Sequence, residues 1–98
     1  MTIVEKIEEL GWNVETQGEE LFINKYSNAG EDFGFYASKP YKKSIEDYAE
    51  DFDADEHAEM WYGANRGEPK SMRALLNDAD EIKADLLALA EGVKKCAC

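Results

Sequence analysis

Apolar positions change rhythm along the chain. Ile3, Ile7 and Leu10, with Val4 beside them, recur at helical spacing, and Lys6, Glu8 and Glu9 take the wet side. Thr2 and Glu5 form a capping-box pattern that opens a helix. Gly11 can take the left-handed conformation that ends one. Trp12, Val14 and Thr16 then alternate with polar residues, so 14–17 and 21–26 predict a hairpin turned at Gly18. Ser27-Asn28-Ala29-Gly30 is a second turn cluster. Phe33, Phe35 and Ala37 alternate through 32–38 and predict a third strand, in which Gly34 signals a bulge or a close backbone approach. Three short antiparallel strands with one face under helix form a stable unit, where a lone hairpin does not.

Beyond Pro40 the helical period returns. Pro40 biases Lys39 away from helix, and Ser44 is the expected N-cap. Ile45, Tyr48, Ala49 and Phe52 share one face; Glu46, Asp47, Glu50 and Asp51 share the other. Asp53 or Asp55 caps a second helix running to about Trp61, with Ala54, Ala58 and Trp61 inward and Met60 or Tyr62 at the margin. Residues 63–67 read as a loop. Pro69 and Ser71 announce the last helix. There Met72, Ala79, Leu86 and Val93 repeat every seven residues, with Leu75, Ile82 and Leu89 between them. Leu76, Leu87 and Ala90 widen this stripe, which suits packing on a globular core better than a free coiled coil, with a dimer seam as the alternative. Asn77 and Asp78 are a candidate interruption after two turns.

The predicted fold class is α+β: an N-terminal helix, a small three-stranded antiparallel sheet, then three or four helices packed on it. The predicted core is Ile3, Ile7, Leu10, Trp12, Val14, Phe22, Phe33, Phe35, Ile45, Tyr48, Phe52, Trp61, Leu75, Ile82, Leu86 and Leu89. One domain over 1–95 suits the length of 98 residues, with 96–98 as a tail. Hydrophobic content of 44% is too high for a disordered acidic chain. No run approaches the roughly 20 apolar residues of a membrane span, and the N-terminus lacks a basic stretch followed by an apolar block. A cytoplasmic protein is expected. Cys96 and Cys98 sit too close to the end to staple a core. A frayed tail is the favoured reading, over a cloning remnant or half a metal site.

Charge adds the sharpest feature. The net charge of −11 divides as −3 over 1–43, −8 over 44–62 and 0 over 63–98. The middle segment carries Glu46, Asp47, Glu50, Asp51, Asp53, Asp55, Glu56 and Glu59 and no Lys or Arg. Glu50 and Asp51 near a helix end oppose the dipole, a sign that the acids serve something besides helix stability. Such a chain is repelled by nucleic acid and anionic membrane but attracts a basic protein. Solubility alone is the plainer reading. Arg66, Lys70 and Arg73 are expected to pair back to the acids, with a small basic patch as the alternative.

Catalytic patterns are weak. Asp51, Asp53 and Asp55 have the spacing that starts a calcium loop, but its sixth position is Glu56 and its twelfth is Tyr62. A solvated acidic corner is the favoured reading, over weak cation binding to clustered carboxylates. His57 is the sole histidine, and a second zinc-binding His four residues on is replaced by Trp61. A partly buried structural histidine is the expectation. The glycines form no phosphate-binding pattern, and nothing singles out a carboxylate pair for glycoside hydrolysis. The expectation is no enzyme, no cofactor and no dedicated metal site.

The strings GEDFGF at 30–35, DYAEDFDADEHAEMW at 47–61 and RGEPKSMRALLNDADEIKADL at 66–86 resemble a family of small acidic mobile-element proteins. That family is associated with plasmids, conjugative elements and phages of Firmicutes and other gut bacteria, and includes the LtrC-like proteins. The spacing from Arg66 to Ser71 is tighter here than in the family. The resemblance implies a mobile-element passenger and brings no activity or site residues with it. Two functions are expected. One is an anti-defence inhibitor whose eight acids imitate phosphates and occupy a basic nucleic-acid-binding host protein. Carboxylates on successive helix turns lie about 5–6 Å apart, close to phosphate spacing. The other is a non-catalytic interaction or conjugation-accessory module, with a homodimer left open, using the Met72–Val93 seam or aromatics such as Tyr41, Trp61 and Tyr62.

Overall fold

A computed structural model describes residues 1–65 and 71–98. The order is α1 (Ile3–Glu9), β1 (Asn13–Gln17), β2 (Glu20–Tyr26), β3 (Asp32–Ala37), α2 (Tyr41–Asp51), α3 (Ala54–Asn65) and α4 (Met72–Lys95). The sheet is antiparallel in the order β1-β2-β3. The fold is therefore α+β, with three helices after the sheet.

Local chemistry fixes the N-terminal half. Thr2 and Glu5 complete the capping box of α1. Gly11 follows at φ 97 and turns the chain toward Trp12. Gln17 pairs with Glu20, so Gly18 and Glu19 form a two-residue hairpin loop, with Gly18 at φ 65. β3 buries Phe33, Phe35 and Ala37 on one face.

In β2 the buried residues are Leu21 and Ile23, and the expected core residue Phe22 lies on the opposite face. The alternation of a strand forces that choice. Gly34 makes it workable, because a Cβ there would lie 2.5 Å from the Phe22 ring. Phe22 covers the glycine and packs on Tyr36 with centroids 4.9 Å apart. Gly34 is thus a site of close approach, as its place in the strand suggested.

The first helix after the sheet begins at Tyr41 with Pro40 as N-cap, not at Ser44. The Ser44 hydroxyl instead accepts the Ser38 N–H at 3.1 Å, and the Tyr41 hydroxyl donates to the Glu19 carbonyl. Starting early gives α2 an extra turn and places Tyr41 against the core. α3 continues past Trp61 to Asn65, so Gly63–Asn65 are helical rather than loop. Arg66 and Lys70 lie outside the described residues. Ser71 caps α4 by accepting the Ala74 N–H, and α4 runs unbroken through Asn77 and Asp78.

Two clusters hold the layers together. The larger joins Trp12 and the sheet's inner face to Ile7 of α1, Ile45 and Ala49 of α2, and Ile82, Leu86, Leu89 and Val93 of α4. The smaller joins Ala58 of α3 to Leu75 and Ala79 of α4, with Trp61 and Met72 packed against it. The heptad stripe of α4 is therefore consumed within the chain. Ile3, Leu10, Val14, Tyr48, Phe52 and Trp61 flank these clusters half-buried. At the C-terminus Cys96 caps α4 and is disulfide-bonded to Cys98, and Lys42 donates to the Cys96 carbonyl.

Candidate partner-binding face

The acids of 44–62 fall on α2, its junction with α3, and α3 itself. The inward faces of both helices are committed to packing, through Ile45 and Ala49 on α2 and Ala58 on α3. Helical periodicity then turns the carboxylates outward. Asp47, Glu50, Asp51, Asp53, Asp55, Glu56 and Glu59 are exposed, and Glu46 is half-exposed.

The junction has a definite cause. Phe52 ends α2 in extended backbone and sets its ring on Phe33, with centroids 5.7 Å apart. Asp53 restarts the helix by accepting the Glu56 N–H at 3.1 Å, so Asp53 rather than Asp55 makes the cap. His57 follows one turn in. Its Nε2 lies 2.7 Å from Glu31 Oε2, and its ring stands edge-on to Phe33. His57 is partly buried, and the pair ties α3 to the start of β3. Tyr48 stacks flat on Phe35 at 4.3 Å. Burial, and secondarily the Glu31 charge, pushes the Tyr48 phenol above its ordinary pKa.

Among the described residues, positive charge reaches this face at two points. Lys43 lies 3.0 Å from Asp47 and 3.9 Å from Glu46. Its pKa is raised, first by the hydrogen bond to Asp47 and then by the charges of Asp47 and Glu46. Lys83 of α4 donates to the carbonyls of Ala49 and Glu50, not to a carboxylate. It satisfies the C-terminus of α2 and offsets the dipole conflict that Glu50 and Asp51 create. Arg73 is exposed and makes no ion pair among the described residues.

The eight acids do not form one cluster. Glu46, Asp47 and Glu50 bring carboxylate oxygens within 4.8 Å of one another, and Lys43 already answers two of them. Asp51, Asp53 and Glu56 line a concavity with Tyr48, Phe52, His57 and Met60. Asp55 lies with Glu50 and Asp51 around Lys83, and Glu59 stands exposed on α3. The acids of Asp51 to Glu59, the alternative weak cation cluster, do not converge as a three-ligand group among the described residues. The concavity was not anticipated from sequence. Its signal there was a lone histidine on the inner side of an acidic helix.

No helix among the described residues is long and apolar enough to cross a membrane. No family model, curated protein or solved structure matches the chain.

Proposed function

We propose that the protein is a non-catalytic binding module whose α2–α3 face docks on a basic protein surface. The carrying observation is the set of outward carboxylates from Asp47 to Glu59, approached among the described residues by Lys43 alone through side-chain ion pairing. The finer reading is that this face imitates nucleic-acid phosphates and blocks a nucleic-acid-handling host protein, as a mobile-element inhibitor of host defence would. Carboxylates on rigid helix turns match a surface built for a charged backbone. A second reading, docking without mimicry, is favoured by Met60 and Tyr62, which are 65% and 40% exposed beside the acids.

The test is capture from bacterial lysate with wild-type protein and with D51N/D53N/D55N/E56Q. Asn at position 53 keeps a helix cap, so the variant retains its fold. The mimic reading expects a nucleic-acid-binding protein on wild type, released by about 0.5 M salt and absent from the variant. The purified partner must then lose its nucleic acid to wild type in a mobility-shift assay. Equal capture by both proteins, insensitive to salt, sinks the acidic-face reading; salt-sensitive capture without nucleic-acid competition leaves docking without mimicry.

A further inference from the structure

Beside the α2–α3 junction the surface sinks into two adjoining concavities of about 240 and 420 Å³, which share Tyr48, His57 and Met60. The first adds Phe52 and the carboxylates of Asp51, Asp53 and Glu56. No Lys or Arg lines either one among the described residues. We propose that this site receives an arginine side chain of the basic partner. The inference rests on the acidic-face reading and adds the point of contact.

Three observations favour a guanidinium. First, aromatic rings are present and held. Tyr48 is backed by stacked Phe35, Phe52 packs on Phe33, and His57 is fixed by Glu31. A flat cation stacks on such rings, and a preformed wall spares the cost of ordering it. Second, carboxylate capacity is left over. Glu31 is occupied by His57 and one Asp53 oxygen by the Glu56 N–H, but Asp51 and Glu56 make no ion pair among the described residues. The guanidinium fork suits two such acceptors. Third, the exposed Met60 thioether offers a soft apolar surface for the alkyl stem. A lysine ammonium, compact and strongly hydrated, uses the rings less well, and an anion is repelled.

The experiment uses the full chain labelled at its methionine methyls, of which there are three. Met60 lines both concavities; Met1 and Met72 line neither. The probe is a capped Gly-Arg-Gly peptide, beside counterparts with Lys and with uncharged citrulline. The Arg peptide should shift the Met60 methyl and the His57 ring saturably and leave Met1 and Met72 still. The Lys peptide should bind more weakly, and citrulline should leave Met60 unmoved. Phe52→Leu should weaken the Arg peptide by about two- to fivefold, with Met1 and Met72 signals unchanged as a check on folding. E8Q/E15Q, outside both the acidic face and the concavities, should bind the Arg peptide as wild type does.

An unmoved Met60 methyl, equal Arg and Lys affinities, or full binding by Phe52→Leu overturns the site. The two readings fail separately. Salt-sensitive lysate capture with no peptide effect at Met60 removes the arginine site and keeps the acidic face. Peptide binding at Met60 without capture keeps the arginine site and removes the macromolecular partner.

Discussion

Gly92 sits inside the 24-residue helix α4, where glycine is a poor choice by propensity. Replacing it with alanine should gain about 1 kcal/mol from backbone entropy. The structure opposes that gain. A Cβ at position 92 would lie 2.6 Å from Leu10 Cδ1, 3.2 Å from Cδ2 and 3.4 Å from Cγ. Exchanging the two methyls leaves one of them close. Relief therefore needs the half-buried Leu10 side chain to leave its packing, or the α1 terminus, where the Leu10 N–H caps the helix, to shift. Overpacking of this kind costs about 1–3 kcal/mol, so Gly92→Ala alone should range from neutral to about 2 kcal/mol less stable. In a Leu10→Ala background the obstacle is gone, and the same substitution should stabilise by about 1 kcal/mol. Urea denaturation of wild type, both single variants and the double variant closes the cycle. A coupling of about 1–3 kcal/mol is expected. If Gly92→Ala alone stabilises and the cycle is additive within about 0.5 kcal/mol, close approach of α1 is not what glycine serves here.

Three further outcomes follow from single contacts. Ser71→Ala removes the acceptor of the Ala74 N–H and should cost about 0.5–2 kcal/mol in chemical denaturation, with Ser71→Asp restoring most of it. Lys83→Met strips the cation from the carbonyls of Ala49 and Glu50 and should cost about 1 kcal/mol; unchanged stability would show that water replaces it freely. Because burial raises the Tyr48 phenol, the unfolded chain loses that proton first. The contribution of Tyr48 is thus intact below the ordinary value near 10 and is lost as pH rises through its folded value. A spectrophotometric titration should show one late phenol that Tyr48→Phe abolishes, and five tyrosines ionising together would refute the assignment.

Elements whose cause is local were legible in the sequence. The capping box at Thr2, the turn at Gly18, the Phe33–Ala37 alternation and the cap at Ser71 all act within a few residues. What escaped depends on distant partners. ELFINKY offers two alternating sets, and its aromatic looked the stronger core candidate. Gly34, across the sheet, gives Phe22 a place on the outer face. Asp78 looked like a break in an apolar stripe. It is 4% exposed and accepts the Ala29 N–H at 2.9 Å, a partner 49 positions away. The exposure of the α2–α3 acids followed from periodicity. The His57–Glu31 contact, 26 positions apart, and the concavity it shapes did not.

The acids of this chain divide by role, and the division bears on whether negative charge serves solubility alone. Asp78, Glu81 and Asp85 follow one face of α4, and each meets the β2–β3 hairpin. Asp78 accepts from Ala29, Glu81 from Asn28, and Asp85 pairs with Lys25 at 3.0 Å. Lys25 in turn lies 4.9 Å above the Trp12 ring, so this row is continuous with the core. Each of these carboxylates is engaged with the hairpin, although the buried Asp78 Oδ2 has no partner among the described residues. Asp51, Asp55, Glu56 and Glu59 accept no hydrogen bond and make no ion pair among the described residues. A solubility role needs net charge and is indifferent to its place. Glu8, Glu19, Asp32 and Asp80 are also exposed without such a partner among the described residues, but they are scattered over α1, the sheet and α4. The unspent acids are densest on one helix pair, beside rings held by the core, and that density is the physical ground for treating the α2–α3 face as a docking surface.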